Sequence, residues 1–233
     1  KRPHIGHLRS AVIGDAIKRM LVSQEYNAIS DTHIGDWGTQ FGILIYAYKN
    51  LDKTKHVSID LLLEREDPYA ALEQLERIYV KEMENTTTLK KMDDDGRMRT
   101  LADRNEEGKK EFALLEEKNS ENREIWRKFC KATMGVLEQS VKLLSLKEFA
   151  ENKGESFYED KMEPIVRLAK ERIPEKLKLE GKMIAVDLSD EGLDEAVLIK
   201  SDGASTYLLR DLATIRYRKE QWKFAENLYV VDI

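Results

Sequence analysis

The sequence predicts an α/β fold, in which a Rossmann-like parallel sheet is interrupted by a mostly helical insertion. Two observations support this prediction. Near each end of the 233-residue chain, short runs of strand composition alternate with amphipathic helices. Between them, residues 51–182 form long charged stretches with helical spacing. The predicted domains are therefore a first half of the core at 1–50, the insertion at 51–182 and a second half of the core at 183–233.

The first half of the core contains two predicted helices with a strand between them. From Ile5 to Leu21, apolar residues recur at three- and four-residue steps, which is typical of an amphipathic helix. The short run at 27–30 predicts a strand, and the glycine-containing segment at 31–38 predicts a loop. A second helix is predicted at Thr39–Lys49.

The same patterns organise the rest of the chain. Helices are predicted in the insertion at 70–84, 97–117, 121–144 and 161–171. The acidic run at 93–95 lacks the spaced oxygen ligands of a calcium loop, so we interpret it as solvated surface. In the second half of the core we predict strands at 183–188 and 196–200, a helix at 207–218 and a final strand at 228–232.

Composition excludes several classes of protein. All apolar runs are far shorter than the roughly 20 residues that a membrane helix needs, so no membrane contact is predicted. The single cysteine, Cys130, lies in an apolar helical stretch, which favours a buried thiol in a reducing cytoplasm over a catalytic one. The net charge of −5 argues against phosphate contacts over the whole surface, although residues 1–23 carry five basic side chains and one acidic side chain.

Two histidines flank a glycine at the predicted start of the first helix, where His4, Gly6 and His7 lie in the stretch KRPHIGHLRS. Glycine lets the backbone approach a ligand closely, and a helix N-terminus offers unpaired N–H groups and partial positive charge. Imidazole N–H groups can donate hydrogen bonds to phosphate, and such donors stabilise the charge that grows during nucleotidyl transfer. These residues therefore suit a polyphosphate such as ATP, while a surface role is the alternative for a histidine pair taken alone.

The order His-Ile-Gly-His is more specific than its residue types. It resembles the HIGH element of class I aminoacyl-tRNA synthetases. The same element occurs in some small-molecule nucleotidyltransferases, so it indicates adenylyl transfer before it indicates tRNA.

A second stretch separates these families, because DTHIGDWGTQFG at 31–42 resembles the arginyl-tRNA synthetase pattern D-x-H-x-G-D-W-G-T-Q-F-G. Its glycines permit tight backbone geometry around His33, Asp36 and Gln40, whose side chains can orient a polar ligand. A turn with Trp37 in the core is the structural alternative. Further segments similar to this family are IWRK at 125–128, GESFY at 154–158, KSDG at 200–203, YLLRDLA at 207–213 and LYVVD at 228–232.

The resemblance implies the catalytic domain of a class I ligase that activates L-arginine with ATP and transfers it to tRNA(Arg). It implies that His4, Gly6 and His7 bind ATP. It also implies that His4 and His7 act in catalysis together with Lys1, which resembles a lysine thought to replace a missing KMSKS lysine. Mg²⁺ is expected with the ATP phosphates, and no metal site of the protein's own is expected.

Recognition of arginine is implied at matching positions in two segments. The family's Tyr and Asp that hold the substrate guanidinium match Tyr207 and Asp211, four residues apart on one face of a predicted helix. An intrahelical surface pair, or a salt bridge of Asp211 with a neighbouring arginine, is the alternative. The other predicted arginine-binding residues are His33, Asp36 and Gln40.

Two other interpretations stay open. The chain begins without Met, and we find no Ser-Pro-Asn segment, KMSKS-type loop or anticodon-binding domain in it, so we interpret it as a fragment. It could then be a truncated, non-catalytic synthetase-derived module that binds tRNA or protein, or another HIGH-containing nucleotidyltransferase. The favoured hypothesis is an arginine–tRNA ligase that acts as a cytoplasmic monomer on arginine, ATP and tRNA(Arg).

Overall fold

The computed structural model describes residues 4–50, 58–64, 66–88, 101–147, 149–201 and 203–231. The chain divides into two compact units, one formed by Lys1–Glu151 with Val230–Ile233 and the other by Asn152–Tyr229. Helices and strands occur in both, which confirms the predicted mixed α/β class. The predicted domain boundaries near residues 50 and 182 stay a prediction. Within the described ranges, no helix is both long enough and apolar enough to cross a membrane.

The described part of the first unit is mainly helical. Its elements are α1 at Ile5–Ser23, β1 at Asp31–Ile34, α2 at Thr39–Lys49, α3 at Ile59–Glu64, α4 at Pro68–Thr88, α5 at Leu101–Glu116 and α6 at Ser120–Leu143. Helix α2 has both of its predicted ends. Helices α1, α4, α5 and α6 lie within a few residues of their predicted ranges, because their apolar side chains recur at the helical period.

The core of the first unit forms where α2, α4, α5 and α6 pack together. Helices α2 and α5 approach so closely that a Cβ atom added to Gly42 would lie 1.9 Å from the carbonyl oxygen of Gly108. Only residues without a side chain permit this backbone contact. The buried residues of this core are Trp37, Ile45, Ala47, Ile59, Ala71, Leu75, Ile78, Leu115, Ile125, Phe129 and Ala132.

A polar network joins three helices of this unit. Asn122 on α6 is fully buried, and its Nδ2 atom donates to the main-chain and side-chain oxygens of Glu111 on α5, both at 2.8 Å. The Lys49 ammonium at the end of α2 donates to Asn122 Oδ1 at 2.7 Å and to Glu111 Oε2 at 2.8 Å. The network satisfies groups that would be costly to bury alone.

The first strand lies four residues later than predicted. Residues 27–30 are irregular, and β1 is formed by Asp31–Ile34. After α1, the N–H groups of Tyr26 and Ala28 donate to the carbonyls of Leu21 and Tyr26, which bends the chain. The first main-chain hydrogen bond of this stretch to a distant segment runs from the Ala150 N–H to the Ser30 carbonyl, at 2.7 Å. The strand position therefore depends on a backbone partner about 120 residues away, which local composition cannot reveal.

The second unit combines helices with a small sheet. Helix α7 is at Met162–Arg172 and α8 at Tyr207–Trp222, and short 3₁₀ turns are at Glu155–Lys161, Pro174–Lys176 and Ser189–Glu191. Strand β2 is at Glu151–Gly154. Its first residue, Glu151, belongs to the first unit and the other three belong to the second. The other strands are β3 at Leu177–Glu180, β4 at Met183–Val186 and β5 at Ala196–Ile199. The buried core residues are Tyr158, Ile165, Val166, Val186, Leu198, Leu209 and Ala213.

Two strand predictions for this region are corrected. The strands at 183–188 and 196–200 were expected in a parallel sheet, but β3, β4 and β5 form an antiparallel sheet in that order. Their connections are too short for the crossover of about a dozen residues that parallel strands require. The final strand predicted at 228–232 is irregular over its described residues, 228–231. An apolar run becomes a strand only where another strand pairs with its backbone.

Candidate functional site

His4 and His7 form a reciprocal cap at the start of α1. His4 is the N-cap residue, and its Nδ1 atom accepts a hydrogen bond from the Gly6 N–H at 3.2 Å. In return, His7 Nδ1 accepts from the His4 N–H, also at 3.2 Å, and the two ring centroids are 3.8 Å apart. Both rings are exposed. The structure therefore brings these two predicted site residues together.

This cap has a chemical consequence for both imidazoles. A nitrogen that accepts a backbone N–H carries no proton, so in the neutral ring the proton is on Nε2. Each ring thus offers an Nε2–H donor beside the positive end of the helix dipole. Gly6 lies half-buried in the same first turn. The third predicted catalytic residue, Lys1, lies outside the described residues.

The segment after β1 carries the second group of predicted site residues. His33 lies half-buried on β1, Asp36 follows in the loop, and Gln40 is exposed in the first turn of α2. The loop is tight, because the Asp36 N–H donates to the Ile34 carbonyl at 2.9 Å. Gly38 has φ +125°, a backbone conformation that residues other than glycine rarely adopt. The three polar residues thus come from one short strand–loop–helix segment.

Trp37 in the same loop is a core residue. It is 5% exposed, and its ring meets the rings of Phe112 and Trp126 edge-on at centroid distances of 5.4 and 5.7 Å. The structural interpretation of Trp37 as part of the core is therefore confirmed. It is compatible with a ligand role for the neighbouring Asp36, since an anchored tryptophan fixes the backbone on either side.

Tyr207 and Asp211 lie on the first two turns of α8. The Thr206 hydroxyl caps this helix by accepting from the Leu209 N–H at 3.4 Å, and it donates to the Val197 carbonyl of β5 at 2.7 Å. Tyr207 is 66% exposed and Asp211 is half-buried. The helix places the two side chains one turn apart, with the phenol ring open to solvent.

One residue of this helix has a structural partner that the sequence did not indicate. Arg210, between the two predicted site residues, is buried and pairs with the buried carboxylate of Glu155, with Nη1 to Oε2 at 3.0 Å. Its Nη2 atom donates to Ser205 Oγ at 3.1 Å, and its guanidinium lies 5.5 Å from the Tyr207 ring centroid. Both residues fall in segments similar to the family, but their pairing spans 55 positions and no local pattern reveals it.

The predicted site residues fall in both compact units. His4, Gly6, His7, His33, Asp36 and Gln40 belong to the first, and Tyr207 and Asp211 belong to the second. Among the described residues, no group of three or more His, Cys, Asp or Glu side chains could hold a metal ion.

Comparisons with known proteins agree on one family. The model of class I tRNA synthetases (R), catalytic domain, matches residues 1–233. The chain is 37% identical over 229 residues to an arginine–tRNA ligase of Enterococcus faecalis, and 36% identical over 228 residues to one of Levilactobacillus brevis. Each match covers 97% of this chain and 36% of the relative, so the chain spans about a third of the length of these curated relatives.

Solved structures give the same result for the fold. The arginyl-tRNA synthetase of Plasmodium falciparum matches with a TM-score of 0.66 and 26% identity, over 94% of this chain and 32% of that one. A putative arginyl-tRNA synthetase of Campylobacter jejuni, at 19% identity, has a TM-score of 0.53 over 97% of this chain and 43% of that one, which bears on the fold alone. These matches confirm the Rossmann-like fold class. The chain therefore belongs to the arginyl-tRNA synthetase family of class I synthetases and matches its catalytic domain.

Proposed function

We propose that this chain provides part of the catalytic domain of an arginine–tRNA ligase, which activates L-arginine with ATP and transfers it to tRNA(Arg). The observation that supports this most directly is the reciprocal cap of His4 and His7. It holds two Nε2–H donors at the positive end of a helix, beside a glycine. Family membership supplies the reaction that such donors would serve.

In the first step, the arginine carboxylate attacks the α-phosphate of ATP, and the bond to pyrophosphate breaks. Negative charge grows on the phosphate oxygens, so donors held in place beforehand stabilise the transition state more than the ground state. His4 and His7 would provide two such donors, with Gly6 allowing close approach of the nucleotide. Mg²⁺ would enter with ATP and neutralise phosphate charge. In the second step, the terminal ribose hydroxyl of tRNA displaces AMP from the adenylate.

Tyr207 and Asp211 would select arginine over lysine. A carboxylate accepts two parallel hydrogen bonds from a planar guanidinium, whereas the ammonium of lysine is a point charge that cannot reproduce this geometry. The exposed Tyr207 ring offers a flat face and a hydroxyl on the side of α8 that also carries Asp211. The Thr206 cap and the buried pair of Arg210 with Glu155 would hold this helix end rigid.

A second group of proposed arginine-binding residues lies in the first unit, in and around the loop after β1. His33, Asp36 and Gln40 offer one imidazole, one carboxylate and one amide within eight residues. Such a set can hold the polar end of an amino acid. We also propose that Lys1 assists phosphate binding and that the enzyme acts as a cytoplasmic monomer.

ATP–pyrophosphate exchange with arginine and tRNA, in the complete polypeptide that carries this sequence, tests the proposal. His4→Ala or His7→Ala should lower kcat by roughly 10²–10³, because each removes a donor to developing charge. His56→Ala is the matched control, since no role is assigned to it. His4→Asn separates donation from capping, because asparagine restores an N-cap acceptor but not the imidazole donor.

Three outcomes decide the matter. Losses in His4→Ala and His4→Asn alike support a direct role of the imidazole. Recovery of activity in His4→Asn would reduce His4 to a helix cap. Binding of tRNA without any arginine-dependent exchange by the unsubstituted protein would refute the proposal in favour of a non-catalytic module.

A further inference from the structure

One face of α6 is turned towards the loop after β1. Arg123, Trp126 and Cys130, spaced by three and four residues, all interact with that loop. The Arg123 guanidinium lies 4.9 Å from the Trp37 ring centroid, and the charge of Asp36 contributes to the raised pKa of the Cys130 thiol. Helix α6 therefore packs along the loop that carries Asp36, a proposed arginine-binding residue.

Trp126 makes the most directional of these contacts. Its indole Nε1–H donates to the main-chain carbonyl of Asp36 at 2.8 Å, across 90 positions of sequence. Its ring also stands edge-on to Trp37, the next residue, at 5.7 Å between centroids. The carbonyl and the following side chain are thus held by the same tryptophan.

The two contacts of Trp126 restrict the backbone of the loop at Asp36 and Trp37, where the chain turns from β1 into α2. On one side of the held carbonyl, the Asp36 N–H donates back to Ile34. On the other side, Gly38 adopts its positive φ and α2 begins. With the carbonyl of Asp36 fixed between them, little backbone rotation remains that could turn its carboxylate.

Packing alone does not account for Trp126. The residue is only half-buried, and a phenylalanine would fill much of the same space against Trp37. What phenylalanine cannot supply is the N–H group. Its loss would leave the Asp36 carbonyl without this donor, and the loop would gain alternative conformations.

We propose that Trp126 is a positioning residue for arginine binding, which sets the orientation of the Asp36 loop through its indole N–H. This inference rests on the proposed function, in which Asp36 contacts the amino acid. Trp126 itself touches no substrate. It follows that a residue of the predicted insertion would affect the KM for arginine without taking part in phosphate chemistry.

Steady-state ATP–pyrophosphate exchange in the complete polypeptide provides the test. Trp126→Phe should raise the KM for arginine by about 5- to 20-fold, and leave kcat and the KM for ATP within about twofold. Trp222→Phe, at the end of α8, is the matched control and should change none of the three. A purely structural role predicts a lower melting temperature with no selective change in the KM for arginine, and that result would overturn the inference.

A second variant isolates the hydrogen bond from the shape of the side chain. Benzothienylalanine incorporated at position 126 keeps the bicyclic ring but replaces the N–H by sulfur. It should raise the KM for arginine as Trp126→Phe does, while the melting temperature stays near that of the unsubstituted protein. An unchanged KM in this variant would overturn the inference. Absence of exchange in the unsubstituted protein would instead refute the proposed function.

Discussion

The contact between α2 and α5 leads to a specific prediction for Gly42→Ala. The added methyl group would lie 1.9 Å from the carbonyl oxygen of Gly108 and 2.9 Å from Phe112 Cβ. Real Cβ atoms essentially never approach another heavy atom within 3.0 Å, so the two helices would have to separate by about 1 Å. The obstacle is backbone, which cannot rotate away as a side chain can. We therefore expect a substantial loss of stability.

The magnitude follows from two opposing effects. Overpacking in a core costs about 1–3 kcal/mol, and a rigid backbone obstacle places Gly42→Ala near the upper end. Alanine also favours the helix by roughly 1 kcal/mol relative to glycine. The net loss is about 2 kcal/mol, which lowers the melting temperature by about 4–8 °C in a chain of this size.

Thermal unfolding followed by circular dichroism measures this loss, and the chain offers two comparisons. Gly14 lies inside α1, where an added Cβ would meet only Val230 atoms at 3.9 and 4.0 Å. Gly14→Ala should therefore stabilise slightly. The melting temperature of Gly108→Ala should lie between those of Gly42→Ala and Gly14→Ala, because the closest atom to its added Cβ, at 2.4 Å, belongs to the Ile43 side chain. A Gly42→Ala protein as stable as Gly14→Ala would refute the close packing of α2 on α5.

Three further predictions concern the proposed site and its surroundings. Asp211→Asn should weaken arginine binding by about 2–4 kcal/mol and binding of neutral citrulline much less, as measured by calorimetry; equal losses would make Asp211 structural. Burial, with a smaller contribution from the Asp36 charge, raises the pKa of the Cys130 thiol to about 12. Alkylation by iodoacetamide at about pH 8 should then be roughly 10³-fold slower in the folded chain than in guanidinium, and similar rates would contradict the raised pKa of the thiol. Alanine at all three aspartates of 93–95, which lie outside the described residues, should leave arginine and ATP affinities within a few-fold, and a loss above about tenfold would indicate a cation site.

The accuracy of the sequence predictions depended on how local their signal was. Both ends of helix α2 and the first residue of α8 were predicted correctly. A helix is predictable in this way because its hydrogen bonds and its apolar pattern both involve residues only three or four positions apart. The strand predicted at 27–30 was wrong, since β1 at Asp31–Ile34 is positioned by a distant partner. The parallel arrangement predicted for β4 and β5 was also wrong, because composition does not encode strand direction.

The candidate site shows the same division. Resemblance of local motifs to the family selected His4, His7, Tyr207 and Asp211, since a motif is a local arrangement of chemical groups. It could not show that both histidines cap α1 through Nδ1, because that depends on side-chain rotamers. Nor did it assign any role to the partners that fix the site.

The sequence by itself determined the family, the longer helices and the identity of the chemical groups, because each of these depends on short stretches of the chain. Only the tertiary structure decided which distant residues hold those groups in place. Trp126 reaches Asp36 across 90 positions, and Arg210 pairs with Glu155 across 55. Such contacts arise when packing brings separate helices and loops to the same place, and the free energy that selects them belongs to the whole core rather than to any one segment.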